Sequence, residues 1–324
     1  MQKGKAPILR NIISYNQKGV FMQSVKQKIH YWCQDTIIHQ YLGQGITAAV
    51  LDTGIAPHFD FAGRIIAFQD MVNGRSRIYD DSGHGTHVCG ILAGDGGLSG
   101  GVMSGIAPKC NLVVMKVLDE RGDGNVSHVL KAIDWIVKYK ERYRIRIVNI
   151  SVGTLPHRQS KAEKELLQGV ERLWDEGLVV VTAAGNYGPA KGSITVPGNS
   201  PKVITVGSSD DQIPLLTKGT RKNYSGRGPT RECICKPEVV APGSNIWSCN
   251  AFYVQKHRNA YVRKSGTSMS TPIVSGAIAC MLSKYPDMSN VEVKLRLWEC
   301  SDDVGMDYCV QGWGQVNVER LLTV

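Results

Sequence analysis

Three short motifs carry side chains that could together perform nucleophilic catalysis. The heptapeptide Gly266–Pro272 places Ser268 between a glycine turn and an apolar run of small residues that is typical of a helix. A serine hydroxyl is a weak nucleophile unless a neighbouring base accepts its proton. The chain supplies a candidate base, His84, in a glycine-rich segment, and a candidate carboxylate, Asp52, at the end of an apolar run. These residue types indicate acyl-transfer chemistry if the fold brings them together.

Each of these side chains has a local reason to lie at a reactive site. Asp52 follows a buried run, where a carboxylate needs a hydrogen-bonding partner to stay ionised. The imidazole of His84 would be such a partner, and Asp52 would in turn select its tautomer and stabilise its protonated form. Ser268 lies at a helix start, beside backbone N–H groups that can hold a developing negative charge. Asn186, just past another apolar run, could donate a side-chain N–H to the same oxyanion.

The elements that must position these residues follow from the apolar pattern. Short apolar runs predict buried strands at residues 46–51, 111–117, 146–152, 178–183 and 202–206. Amphipathic patterns predict helices at 126–137 and 160–176, with Asn125 or Ser127 available as a cap for the first. Strands that alternate with helices predict an α/β fold, with three layers (α/β/α) around a mainly parallel sheet. Asp52 and Asn186 lie at or just beyond the carboxyl ends of strands, where sites form in such sheets.

The chain shows no composition break that divides it, apart from its beginning. Residues 1–30 are basic and weakly patterned, and they precede the first predicted strand. We expect residues 1–30 to be an N-terminal extension and residues 31–324 to be one catalytic domain. Residues 1 to about 25 are expected to be mobile or to lie over the surface.

Composition and charge exclude several classes of protein. The 324 residues are 42% hydrophobic and 20% charged, and no apolar run reaches the length of a membrane span. No leader with a cleavage site follows the basic N-terminus, so we expect a cytoplasmic protein without a membrane partner, although a trimmed mature form would be extracellular. The nine cysteines are an odd number, which fits reduced thiols. Cys233 and Cys235 form a pair without zinc-finger spacing, so no metal role is expected for them.

The net charge of +10 includes a basic cluster within residues 138–146. We interpret this cluster as the solvated face and end of a helix, because no nucleic-acid motif accompanies it. No nucleic-acid partner is therefore predicted. Salt-dependent retention on DNA would indicate the alternative.

Together the motifs resemble the signature of the subtilisin-like serine proteases, the subtilases, over about residues 30–320. The segments that carry the resemblance are Asp52-Thr53-Gly54, His84-Gly85-Thr86-His87, Ala184-Gly185-Asn186 and Gly266–Pro272. The segment Tyr79–Ser82 before the histidine is most similar to the bacterial intracellular branch named for alkaline protease X. His87 differs from the proprotein convertases, which have arginine at that place.

This resemblance implies a serine endopeptidase that acts on proteins or peptides and needs no cofactor for its chemistry. Ser268 would be the nucleophile, His84 the general base and then acid, and Asp52 the orienting carboxylate. Asn186 would be the oxyanion donor. The alternative is a catalytically inactive family member that acts as a binding partner. Such members usually lack one residue of the triad, but Asp52, His84 and Ser268 are all present here.

The resemblance also implies where a substrate would lie. Two backbone edges would pair with an extended peptide, and small residues would form a roomy apolar pocket with a broad or apolar side-chain preference. The substrate-binding residues would be Gly122, Gly124, Val126, Ser151, Val152, Gly153, Ala183, Ala184, Gly185 and Tyr187.

Many relatives bind calcium through a loop after the histidine helix, and here Asp60 and Asp95 are the carboxylates that could hold a structural calcium. The loop of residues 94–101 offers few hard oxygen ligands, so this sequence departs from the family pattern.

His87 is expected to be structural, and Cys89 to pack in the core, with thiol sensitivity as the alternative. Asp80 and Asp81 are interpreted as turn residues, with contact to substrate as the alternative. The oligomeric state is left open.

Overall fold

A parallel β-sheet forms the centre of the protein. The computed structural model describes residues 22–154, 160–212, 222–254, 256 and 258–323. Within these ranges seven strands form one sheet: β1 (Thr47–Asp52), β2 (Ile65–Asp70), β3 (Asn111–Lys116), β4 (Ile145–Ile150), β5 (Val179–Ala183), β6 (Ile204–Ser208) and β7 (Val239–Ala241). The strand order is β2-β3-β1-β4-β5-β6-β7, and every neighbouring pair is parallel. The carboxyl ends of these strands therefore lie along one edge, where ligands bind in sheets of this kind.

Helices cover both faces of this sheet. In the described part of the chain they are α1 (Met22–Lys28), α2 (Gln34–Ile37), α3 (His84–Ala93), α4 (Val126–Tyr143), α5 (Lys161–Asp175), α6 (Thr267–Lys284), α7 (Asn290–Cys300), α8 (Tyr308–Gln311) and α9 (Val318–Leu322). α4 and α5 pack on one face, and α3 and α6 pack on the other. An antiparallel hairpin of β8 (Ile246–Cys249) and β9 (Tyr261–Lys264) lies beside α3. The predicted three-layer α/β/α fold is confirmed.

Burial and capping explain why these segments form these elements. All six residues of β1 are buried, as a continuous apolar run predicts for a strand covered on both faces. α4 begins after Asn125, whose side chain accepts the backbone N–H of Ser127 at 2.9 Å. α5 begins after Ser160, which accepts the N–H of Glu163 at 3.2 Å. These caps satisfy N–H groups that the first turn of a helix leaves free. No helix in the described ranges is long and apolar enough to cross a membrane.

Two strands of the sheet were not predicted from the sequence. β2 is an edge strand with no fully buried residue, and its apolar run, residues 65–68, is only four residues long. β7, at the other edge, has only three residues. Both strands are held by pairing with a neighbour, β3 or β6, that is distant in the chain. Periodicity within one segment cannot detect such pairing.

The described end of the predicted N-terminal extension packs into the core. Met22, Val25 and Ile29 are buried with the main apolar cluster. The backbone N–H of Val318 also donates to the carbonyl of Ile29 at 2.8 Å. The expected surface placement is therefore wrong for residues 22–25, because apolar residues at helical spacing form a buried stripe there. Residues 1–21 lie outside the described residues, and the domain division at residue 30 stays a prediction.

Candidate active site

The sheet brings the predicted site residues to one edge. Asp52 is the last residue of β1, and β1 pairs with β4 so that Leu51 lies opposite Ile150. Ile150 in turn lies opposite Thr182 of β5. Asp52, Ser151 and Ala183 each follow one of these paired residues, so they form a row across three neighbouring strands. Local sequence predicts each strand end, but the order of the strands makes these residues neighbours.

Asp52 and His84 form a short hydrogen bond. His84 is the first residue of α3, and its Nδ1 lies 2.7 Å from Oδ1 of the fully buried Asp52. The same oxygen accepts the backbone N–H of Thr53 at 2.7 Å. Because a carboxylate can only accept, the histidine hydrogen is on Nδ1, which leaves Nε2 as the basic nitrogen of the neutral ring. This is the arrangement required of a general base.

A glycine permits this approach of helix and strand. A Cβ on Gly85 would lie 2.2 Å from the carbonyl oxygen of Gly54 and 3.2 Å from Cβ of Asp52. No side chain fits such a space, so Gly85 allows the start of α3 to lie directly against the end of β1. The glycine-rich pattern around His84 thus has a geometric reason.

Ser268 lies in the first turn of α6, after Gly266. Its Oγ donates to the backbone carbonyl of Ser151 at 2.8 Å. Among the described residues, Ser268 and His84 are not joined by a hydrogen bond. Hydrogen bonds between catalytic groups are often long or absent before substrate binds, and a serine hydroxyl changes rotamer readily.

The side-chain amide of Asn186 has a fixed orientation. Its Oδ1 accepts from both the backbone N–H and the hydroxyl of Thr267, at 2.9 and 3.1 Å. Its Nδ2 lies beside Gly266, at 3.2 Å from where a Cβ of that residue would be. The carbonyl oxygen is therefore occupied, and the amide N–H groups are directed toward the residues before Ser268. Sequence reasoning missed Thr267, although it directly precedes the serine.

The predicted substrate-binding residues lie around this edge in three segments. Ser151, Val152 and Gly153 follow β4, and Ala183, Ala184 and Gly185 end or follow β5. Gly122 and Gly124 lie in a turn closed by a bridge between Leu118 and Gly124, and Val126 begins α4. Tyr187 is 49% exposed, so its ring is accessible to a bound molecule.

Two residues near the site are buried in the core. Nε2 of His87 lies 3.1 Å from the carbonyls of Ile246 and Val262, and burial lowers the pKa of His87 well below its usual value. His87 therefore stays neutral and joins α3 to the β8–β9 hairpin. Cys89 is also fully buried, and burial raises the pKa of its thiol well above the usual value. Such a thiol is unreactive, as expected for core packing.

Asp60 and Asp95, the candidate calcium ligands, have other partners. Asp60 is buried and accepts from the hydroxyl of Tyr261 at 2.8 Å and from the N–H of Leu98 at 3.3 Å. Asp95 lies 3.7 Å from the guanidinium of Arg64. Arg64 also donates to the backbone carbonyls of residues 60, 93 and 110. The guanidinium of Arg64 thus joins the segment that carries Asp60 to the segment that carries Asp95.

One other group of potential metal ligands is present in the described residues. Side-chain atoms of His58, Asp60 and Cys249 lie within 4.8 Å of one another, all buried. Nε2 of His58 already lies 2.9 Å from the carbonyl of Ala260, and the Cys249 thiol donates to Asp60 at 3.7 Å. Hydrogen bonds already satisfy this group, so it does not indicate a metal centre.

The chain is similar to known proteins over most of its length. A family model, the subtilase family, matches residues 43–314. Serine protease AprX of Bacillus subtilis is 40% identical over 86% of this chain and 66% of its own length, so the chain spans about two thirds of that relative. Subtilisin DY of Bacillus licheniformis is 33% identical over 86% of this chain and 91% of its own length.

Solved structures agree with these sequence relatives. The S41 psychrophilic protease superposes with a TM-score of 0.72 at 29% identity, over 85% of this chain and 92% of its own. Sphericase gives a TM-score of 0.71 at 28% identity, over 85% and 92%. The Asp52–His84 pair, the parallel sheet and the matched family model lead to one assignment: this chain belongs to the subtilase family.

Proposed function

We propose that this protein is a serine endopeptidase that hydrolyses peptide bonds of protein or peptide substrates through an acyl-enzyme intermediate. The observation that carries the proposal is the bond of 2.7 Å between Asp52 and His84 at the sheet edge where Ser151 contacts Ser268. The proteases named above support it, because they share the family. The substrate side chains that the pocket accepts would decide whether the protein degrades many proteins or processes one substrate.

In the proposed reaction, Ser268 leaves the carbonyl of Ser151 and donates its proton to Nε2 of His84. Its Oγ then forms a bond to the carbonyl carbon of the substrate, and the carbonyl oxygen takes up the negative charge. Asp52 stabilises the imidazolium through the Nδ1 hydrogen bond. His84 next gives its proton to the amine nitrogen as the bond between that nitrogen and the carbonyl carbon breaks, which leaves the acyl-enzyme. A water molecule then attacks the acyl carbon while His84 takes its proton, and His84 passes that proton to Oγ of Ser268 as the ester bond breaks.

The oxyanion would accept hydrogen bonds from the Asn186 amide and from the backbone N–H of Ser268. The substrate would lie as an extended strand between residues 122–126 and residues 151–153, so that backbone hydrogen bonds hold peptides of many sequences. Ala183, Ala184 and Gly185 would line the pocket before the cut, with Tyr187 at its border. Small residues at that place favour apolar side chains of various sizes.

Covalent labelling tests this proposal directly. The purified protein should react with a fluorophosphonate probe, and mass spectrometry of the digested protein should locate the label on Ser268. The same protein should hydrolyse casein or a short chromogenic peptide. A label on a different residue would overturn the assignment of Ser268 as the nucleophile. The absence of both labelling and hydrolysis would overturn the proposed activity.

Asn186→Leu should lower kcat by about 10²–10³-fold, the range that loss of one oxyanion donor costs in proteases of this family. Leucine has a similar size but no N–H, so the substrate should still bind and KM should change little. Steady-state kinetics with a chromogenic peptide measure both quantities. Asn73→Leu is the control for the same substitution, because Asn73 is exposed and its amide donates to the hydroxyl of Tyr79, so its kcat is expected near that of the wild type. A loss in kcat below tenfold for Asn186→Leu would contradict the proposed role.

The family resemblance leaves a calcium ion at Asp60 and Asp95 open, and the contacts of Arg64 favour a calcium-free alternative. Its guanidinium binds three carbonyls and lies near Asp95, so it supplies the positive charge that an ion would bring. EDTA should therefore leave the melting temperature of the Ser268→Ala protein unchanged, whereas Arg64→Met should lower it. A calcium-dependent rise in melting temperature would show a bound ion, because a ligand at about 100 times its Kd adds about 2.7 kcal/mol of stability.

A further inference from the structure

Asp80 is a buried carboxylate beside the candidate active site. It is 5% exposed and lies four residues before His84, in the loop that leads into α3. A buried carboxylate is costly unless hydrogen bonds satisfy both of its oxygens. The contacts of Asp80 therefore show what it stabilises.

Both oxygens of Asp80 accept hydrogen bonds. Oδ1 accepts from the hydroxyl of Thr53 at 2.9 Å and from the backbone N–H groups of Gly83 at 2.7 Å and Ser82 at 3.2 Å. Oδ2 accepts from the N–H of Thr86 at 2.8 Å and from its hydroxyl at 2.6 Å. The contacts to Ser82 and Gly83 are those of a turn residue, but the contacts to Thr53 and Thr86 reach beyond the turn.

The donors belong to the two segments that carry the proposed base and its carboxylate. Gly83 and Thr86 flank His84 at the N-terminus of α3, where a negative charge is favourable. Thr53 directly follows Asp52, and its hydroxyl also accepts the N–H of Gly85 at 2.9 Å. One carboxylate thus ties the end of β1 to the start of α3, on both sides of the Asp52–His84 hydrogen bond.

We propose that Asp80 is a positioning residue of the active site: through Thr53 and the first turn of α3, it holds Asp52 and His84 in the relative placement that proton transfer requires. It touches neither the substrate nor the reacting atoms. This inference rests on the proposed protease function, since it concerns the rate of the same reaction.

Asp80 also contributes charge to the surroundings of His84. The other charged groups there are Asp52, Lys264 of β9, and the ion pair of Lys116 with Asp81 at 2.7 Å. Burial lowers the pKa of Lys264, and the charges of Asp80 and Asp52 oppose that shift. His87 on α3 stays neutral. Removal of Asp80 takes away one negative charge and leaves two carboxylates and two lysines, which disfavours the imidazolium of His84.

The test compares Asp80→Ala with Asp80→Asn. Alanine removes all of the hydrogen bonds and the charge, whereas asparagine removes the charge and the bond from the N–H of Thr86 but keeps an oxygen that accepts from Thr53 and Gly83. Competent sites in each preparation are counted by titration with a fluorophosphonate. The kcat and KM per titrated site are then measured with a chromogenic peptide as a function of pH.

For Asp80→Ala we expect kcat per site to fall by about 10–100-fold with little change in KM, because small misplacements of catalytic groups cost rates of this size. Asp80→Asn should recover part of this loss in kcat, because it keeps the contacts to Thr53 and Gly83. In both variants the acid limb of the kcat/KM profile should move to lower pH by about half a unit, since one negative charge is lost. Asp81→Asn, which removes a charge from the same loop but no bond to α3, should keep kcat within about twofold.

A purely structural role gives a different result. Asp80→Ala would then have a lower melting temperature and fewer competent sites, but each remaining site would keep the kcat and the acid limb of the wild type. This outcome would overturn the inference. If Asp80→Ala does not fold, an unshifted acid limb in Asp80→Asn would overturn it as well. A wild-type protein that neither reacts with the probe nor hydrolyses peptides would instead contradict the proposed function.

Discussion

Ser268→Ala is expected to reduce kcat for a peptide substrate by at least about 10⁴-fold, the size of effect that loss of the nucleophile has in serine proteases. Alanine has no oxygen to form the acyl-enzyme. The remaining groups, such as Asn186, can only favour direct attack by water. Covalent labelling by a fluorophosphonate should disappear together with the activity.

The substitution should leave the fold intact. Within the described ranges Ser268 makes one side-chain hydrogen bond, to the carbonyl of Ser151, and its side chain is only partly buried. Its loss should change the free energy of unfolding by about 1 kcal/mol at most. Ser270→Ala is a matched control, because Ser270 lies in the same turn and also donates to a backbone carbonyl, that of Ala241 at 2.9 Å. Activity lost equally in both variants would indicate damage to α6 and would argue against a nucleophile at position 268.

Asp52→Asn should lower kcat near neutral pH by about 10⁴-fold, as replacement of the triad aspartate does in other serine proteases. Oδ1 of Asp52 accepts from Nδ1 of His84 and from the N–H of Thr53. An asparagine at position 52 can turn its oxygen toward both Thr53 and Nδ1 of His84, or it can turn an N–H group toward Nδ1. In the second case Nδ1 must accept a hydrogen bond, so the histidine hydrogen moves to Nε2, the nitrogen that must accept the serine proton.

Steady-state kinetics and active-site titration of Asp52→Asn measure this effect. Asp70→Asn is the control, because Asp70 also ends a strand of the same sheet but binds Tyr79 and nearby backbone N–H groups. Its kcat should stay near that of the wild type. A loss smaller than tenfold in Asp52→Asn would show that His84 does not depend on this carboxylate.

The sequence alone predicted the candidate site residues and most of the fold. The apolar runs at residues 46–51 and 146–152 indicated strands, and β1 and β4 lie within one or two residues of those bounds. Ser160 was expected to begin a helix and caps α5. Strand burial and capping depend on residues close together in the chain, so their signals are local. The resemblance to subtilases rested on four short motifs in order, and the family assignment is confirmed.

Several contacts of the predicted residues depend instead on groups that are far apart in sequence. Arg64 binds carbonyls of residues 93 and 110, and Thr267 orients Asn186 across 81 positions. The interpretation of Asp80 as a turn residue misses its partner Thr53, which lies 27 positions away. No local pattern predicts which buried polar groups will satisfy one another.

The sequence by itself therefore determined the chemical types at the site: a serine, a histidine, a carboxylate and an amide, each at the end or start of a predicted element. Only the tertiary structure decided how these groups are held. The strand order places Asp52 beside Ser151, Thr267 orients Asn186, and Asp80 joins the two segments that carry Asp52 and His84. The physical reason is that hydrogen bonds of buried polar groups form between whichever segments the packed core brings together, and that choice is made by the whole chain.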